Sequence, residues 1–88
     1  MELKKTVVIT QTESGLSLRL GAEQRPVDAA DEYIFRLLGK GAVEDRALID
    51  LVAKEESLCE ITAELRLAQL VLDYGDYLAP AHGSVFEV

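Results

Sequence analysis

"SLCEITAELRLAQLVLDYGDYL", residues 57–78, is the stretch on which the fold of this chain turns. Ser57 followed three residues later by Glu60 is a capping-box pattern and predicts a helix start. Gly75 predicts its end, and an extended segment follows. At 100° per residue, Leu58, Ile61, Leu65, Ala68 and Leu72 fall in one arc roughly 80° wide, which reads as the core stripe. Ala63, Leu67, Leu70 and Tyr74, with Val71 at the margin, form a second apolar arc on nearly the opposite side. Thr62, Arg66, Gln69 and Asp73 make one polar seam between the arcs, and Glu60 and Glu64 the other. A surface helix needs one apolar stripe only, so the second has to be covered. Either the helix is sandwiched inside its own domain, or a peptide or second subunit lies against it.

Working back along the chain, "KKTVVITQT" at 4–12 is rich in Thr, Val and Ile and predicts a strand. "ESG" at 13–15 is a turn signal, and "LSLRL" at 16–20 alternates strictly, which completes a hairpin with one buried face. "GAEQRPV" at 21–27 contains Pro26, which has no N–H to donate, so this piece is an edge strand or an extended loop. Asp28 is placed to open a first helix, carried by Tyr33, Ile34, Leu37 and Leu38 and stopped by "GKG" at 39–41. A second helix is expected over 43–55, with Ala47, Leu48, Leu51 and Val52 inside and Glu44, Asp45, Asp50 and Glu55 in water. At the far end, "DYLAP" and "SVFEV", separated by "AHG", read as short strands, a terminal hairpin. The expected architecture is α+β: a small winged-helix-like domain with an N-terminal β-hairpin, three helices and C-terminal short strands, all in one domain over residues 1–88.

Nine Lys and Arg stand against sixteen Asp and Glu, a net charge of -7. Phosphate backbones are bound by clustered cations that release counterions, and here the cations are scattered singly. A recognition helix in a major groove presents Arg, Lys, Asn or Gln to base edges, and the third helix offers only Arg66 and Gln69. Nucleic acid is therefore excluded as an expected partner, and a basic or mildly apolar peptide or protein is favoured. There is no long apolar run, so no membrane span is expected, and residues 1–9 lack the layout of a secretory signal. The one cysteine, Cys59, cannot close an internal disulfide, which favours a reducing, cytoplasmic setting.

Strands placed before three helices, with a last helix ending in "LVLDYGDYL", have the pattern of a winged helix–turn–helix. With that order, the chain resembles the PqqD-like family, the RiPP recognition elements. The stretches that carry the resemblance are "GLSLRL" (15–20), "DAADEYIFRLLGKG" (28–41) and "AQLVLDYGDYL" (68–78), covering most of residues 6–78. The resemblance implies a leader peptide that adds as a strand to the sheet edge at Glu23, Arg25 and Val27. It also implies that the peptide lies against Ala63, Leu67, Leu70 and Tyr74, with Arg66 beside them.

No catalytic constellation is expected. His82 is the only histidine, on a "PAHGS" turn, and no second histidine or nearby cysteine completes a metal site. Cys59 lies in the first turn of the third helix, where the dipole lowers a thiol pKa, and reads chiefly as a space-filling residue. "GKGAVED" lacks P-loop spacing. "ESLCEI" at 56–61 is similar to the attachment site of acyl carrier proteins, but the Gly-x-Asp lead-in is missing and strands precede the helices. Three functions compete: a non-catalytic peptide-binding module without cofactor or metal, serving alone as a chaperone or beside a modifying enzyme; an acidic inhibitor or nucleic-acid mimic; and a winged-helix regulator that dimerises through its third helix.

Overall fold

The computed structural model describes residues 1–79. It is an α+β fold in which a three-stranded antiparallel sheet, its strands in chain order, packs on three helices. The strands are β1 (Glu2–Leu3), β2 (Val7–Thr12), β3 (Gly15–Leu20), β4 (Glu23–Pro26) and β5 (Leu78–Ala79). The helices are α1 (Glu32–Leu38), α2 (Asp45–Glu55) and α3 (Glu60–Asp73). β1 pairs with β5 in a separate two-stranded ribbon, Glu2 opposite Ala79 and Leu3 opposite Leu78.

The hairpin forms where alternation and turn chemistry agree. Thr12 pairs with Gly15 and Val7 with Leu20 across a two-residue turn. Gly15 has φ 127°, a value that side chains disfavour, so the turn needs glycine here. Leu16, Leu18 and Leu20 face the helices, while Arg19 and the half-exposed Val8 face water. The strand expected over 4–12 starts later, at Val7. Lys4 donates its N–H to the Tyr77 carbonyl instead, and Val7 turns back to the Lys4 carbonyl. The piece before it is thereby diverted to β5. The C-terminal reading survives only at Leu78–Ala79, and "SVFEV" lies outside the described residues.

Two helix starts differ from expectation. Asp28 precedes a 3-10 turn at Ala29–Asp31, and its carboxylate makes no cap bond. The capping box of Ser57 and Glu60 does not form. Ser57 instead takes φ 54° in the link between α2 and α3, Cys59 occupies the N-cap position, and Glu60 pairs with Arg46. On α2 the inward residues are Leu48, Ile49 and Val52; Ala47 is exposed and Asp45 is buried. Asp45 is drawn inside by the Met1 ammonium, which donates to its Oδ1 at 3.1 Å and to the Val43 carbonyl at 2.7 Å.

The largest correction concerns α3. Its two apolar stripes are exchanged relative to expectation, except that Leu58, which lies before the helix, packs against the core as expected. Ala63, Leu67, Leu70 and Tyr74 are at most 1% exposed and form the core face, with Tyr74 edge-on to Phe35 at 4.9 Å. Ile61, Leu65 and Leu72, expected inside, are 71%, 66% and 78% exposed. Apolar periodicity is degenerate between the two faces, and the polar partners resolve it. Only this rotation lets Tyr74 reach Asp31 and brings Arg66 onto Asp31 and Glu56.

Among the described residues no helix is long and apolar enough to cross a membrane.

Candidate functional site

β4 is an outer strand of the sheet, and its pairing parity decides which groups it offers. Val27 donates to the Leu16 carbonyl at 2.9 Å, and the register sets Arg25 opposite Leu18 and Glu23 opposite Leu20. In an antiparallel ladder both main-chain groups of a residue point to the same neighbour, and the direction alternates. Glu23, Arg25 and Val27 therefore bond inward. The N–H and C=O of Gln24 and the C=O of Pro26 point outward. Pro26 occupies an outward position, where its missing N–H costs the existing ladder nothing. At the opposite edge, β2, side chains meet the end of α1. Arg36 Nη2 donates to Gln11 Oε1 at 3.1 Å, and a Cβ on Gly39 would stand only 3.0 Å from Ile9 Cδ1.

Beside the β4 edge lies a pocket of about 380 Å³ walled by Thr12, Ser17, Gln24, Pro26 and Val27 among others. The Gln24 amide donates to Ser17 Oγ at 3.0 Å across its floor. On the inner face, Arg25 reaches the C-terminus of α3. Its guanidinium donates to the Asp73 carbonyl and stacks over the Tyr74 ring, 3.9 Å from the centroid. A cation at this place satisfies a free carbonyl and complements the negative end of the helix dipole.

Of the eight residues expected to form a peptide site, the structure leaves Glu23 exposed and Arg25 half-buried at the β4 edge. Val27 is buried at 7% exposure. Ala63, Leu67, Leu70 and Tyr74 are sealed in the core, so they do not line an open groove. Arg66 is consumed internally: Nη2 lies 2.6 Å from Asp31 Oδ1 and donates to the Ala30 carbonyl at 3.2 Å, and Nε lies 3.2 Å from Glu56 Oε1. Tyr33 donates to the other Glu56 oxygen. Tyr74 donates to Asp31 Oδ2 at 3.0 Å and accepts the Asp28 N–H at 3.1 Å. This network ties the 3-10 turn, α1, the end of α2 and α3 together, and no buried side-chain polar atom among the described residues is left without a partner.

Burial, aided by the bond to Glu56, pushes the Tyr33 phenol above its usual range. Burial also raises Tyr74, with the Asp31 bond acting in the same direction. For Arg66 burial alone would lower the pKa, but the bonds and charges of Asp31 and Glu56 outweigh it and the net shift is upward. The phenol shifts give a testable sign. A phenol raised in the folded state stabilises the fold at every pH below its unfolded value of about 10, and that contribution is lost as pH climbs further, because the unfolded chain releases the proton first. Alkaline titration is expected to show tyrosinate absorbance from Tyr33 and Tyr74 appearing together with loss of far-ultraviolet dichroism. Full ionisation of both with the helix signal intact would contradict the network.

Sequence reasoning missed the outer face of α3 as an exposed feature. Its residues were all visible, but they were assigned to the interior. Cys59 is exposed, with Sγ 3.1 Å from Thr62 Oγ1, and that bond holds its thiol pKa below the usual value. His82 lies outside the described residues. Among the described residues no three His, Cys, Asp or Glu side chains converge as metal ligands would.

Compared with protein-family models, with curated proteins and with solved structures, the chain finds no match.

Proposed function

We propose that this domain is a non-catalytic polypeptide-binding module, and that an extended peptide of basic or mildly apolar character adds as a strand to the outer edge of β4. One observation carries the reading: Gln24 and Pro26 turn main-chain hydrogen-bonding groups away from the sheet. An incoming strand bonds to those groups, and the neighbouring pocket takes a side chain; this is how edge addition obtains affinity and then selectivity. The net charge of -7 speeds the encounter with a cationic segment. The resemblance to RiPP recognition elements points to a leader peptide as the natural ligand, and the lone cysteine to the cytoplasm as the compartment. The helix contacts that the resemblance implies are not available in their expected form. The helical wall of the edge is instead Arg25 lying on Tyr74 and the end of α3.

The test uses the edge chemistry itself. Gln24→Pro removes the outward donor without touching an inward one, and proline suits an edge strand. Amide shifts recorded during titration with an array of extended basic peptides are expected to centre on residues 23–27 in the wild type. Affinity is expected to fall about tenfold in Gln24→Pro, the loss of one to two good hydrogen bonds. Pro26→Ala, which restores a donor, is expected to tighten binding severalfold. Shifts that avoid residues 23–27, or a Gln24→Pro variant that binds undiminished, would rule out strand addition.

A further inference from the structure

Leu58, Ile61, Leu65, Ala68 and Leu72 are separated by 3, 4, 3 and 4 residues. That is the a/d spacing of a heptad seam, the narrow stripe by which one helix packs along another. Leu58 precedes α3 and packs against the core; relative to the core-facing direction of α3, Ile61, Leu65, Ala68 and Leu72 centre on the opposite side of the helix. Ile61, Leu65 and Leu72 are each about two-thirds exposed or more, and together with Val8 they are the large apolar residues that the described surface leaves in water. Single exposed apolar residues are ordinary; three in register on one helical face, over a seam of roughly 16 Å, are not.

The charges beside this seam identify the kind of occupant. Glu64 lies on one flank, next to Glu60, which is held by Arg46. Asp73 lies on the other, with Thr62 and Gln69, and Gln69 donates to its carboxylate at 3.0 Å. The only cation of α3, Arg66, is turned inward onto Asp31 and Glu56. The flanks are thus acidic or neutral, on a chain whose net charge is -7. Flanking charges choose the partner of such a seam and its orientation, and like charges placed opposite each other reject a mate. A second copy paired antiparallel about Leu65 would set Glu64 beside its twin and join two molecules of the same large negative charge. A membrane surface fits no better, because helices that lie in anionic interfaces carry Lys and Arg on their polar face. A helix with an apolar seam and cationic flanks satisfies both the stripe and its borders.

We propose that the outer face of α3 docks an amphipathic helix of a partner protein, one with leucine-type residues at 3-4 spacing flanked by lysine or arginine. This inference is independent of strand addition at β4, since it uses the side of α3 turned away from the core. With both surfaces in use the domain is an adaptor, presenting an extended peptide to whatever protein supplies the helix.

Three synthetic three-heptad helices serve as probes against the full chain: leucine at a and d with lysine at e and g, the same with glutamate at e and g, and the lysine version with serine at a and d. The leucine–lysine helix is expected to bind and to shift the amides around Ile61, Leu65 and Leu72. The other two are expected not to bind. Leu65→Glu, which alters an exposed position, is expected to weaken binding about tenfold or more while the far-ultraviolet spectrum and thermal midpoint stay unchanged, and Leu65→Ala to weaken it less. Undiminished binding by Leu65→Glu would reduce the effect to general charge attraction and overturn the proposal. So would sedimentation showing a wild-type dimer that Leu65→Glu dissociates, which would make a second copy the occupant. Amide shifts in residues 80–88 caused by Leu65→Glu without any probe would assign the seam to the chain's own end, and would equally overturn it. Loss of peptide binding in Gln24→Pro with helix binding retained separates this test from the strand-addition test.

Discussion

Leu67→Ala is expected to lower stability by about 3 kcal/mol and the melting temperature by on the order of 15 °C, whereas Leu65→Ala changes stability by less than about 0.5 kcal/mol. The two leucines stand two residues apart on α3, and by apolar periodicity alone the expectation would be reversed. The difference comes from where each side chain sits. Leu67 is fully buried between Leu70 and Ala63, whose own exposures are 1% and 0%. Truncation there removes packed methyl groups and leaves a void that a close-packed interior fills poorly. Leu65 is 66% exposed, so its truncation removes little that is packed. Urea or thermal unfolding of both variants decides the matter. Equal losses would mean that both faces of α3 are covered in solution, and the reverse order would restore the face assignment suggested by Leu58, Ile61, Leu65, Ala68 and Leu72.

Arg66→Met is the second change with a large expected effect, a loss of about 2–3 kcal/mol. Methionine keeps the length and apolar stem of the side chain but leaves two carboxylates facing an uncharged neighbour. Asp31, itself 7% exposed, would retain only the Tyr74 hydroxyl among the side-chain partners seen here. The figure lies below the full cost of breaking a wholly buried pair because the Arg66 and Glu56 side chains keep 22% and 27% of their exposure. Adding Asp31→Asn is expected to return much of the loss, since the amide still accepts from Tyr74 and no longer carries an unpaired charge. A double-mutant cycle on Arg66 and Asp31 therefore gives a coupling of about 1–2 kcal/mol, and additivity would show that the contact contributes nothing.

The parts of this fold legible in the sequence are those where one period dominates. "LSLRL" alternates without ambiguity, and β3 follows it residue for residue from Leu16 to Leu20. Tyr33, Ile34, Leu37 and Leu38 announce α1, and the edge character of β4 follows from Pro26. What was not legible depended on partners distant in the chain. Asp45 reads as a wet-side residue of α2 until Met1 is placed against it. Ser57 reads as a cap until the link between α2 and α3 requires its left-handed backbone. The rotation of α3 was undetermined because two apolar stripes of similar strength oppose each other. The choice between them rests on Asp31 and Glu56, which lie 35 and 10 residues from Arg66. The same indeterminacy misplaced half of the expected peptide site, because Ala63, Leu67, Leu70 and Tyr74 were recognised as one face but given the wrong side.

The ribbon formed by β1 and β5 has a consequence for how the domain is made. Glu2 and Leu3 find their backbone partners in Ala79 and Leu78, so contacts of very long sequence separation close the structure. During synthesis the hairpin and the first helices leave the ribosome well before those partners exist. Residues 1–3 must wait, unpaired, until nearly eighty amino acids have been joined and the last of them has cleared the exit tunnel. Until then the growing chain carries an unsealed margin at Glu2 and Leu3.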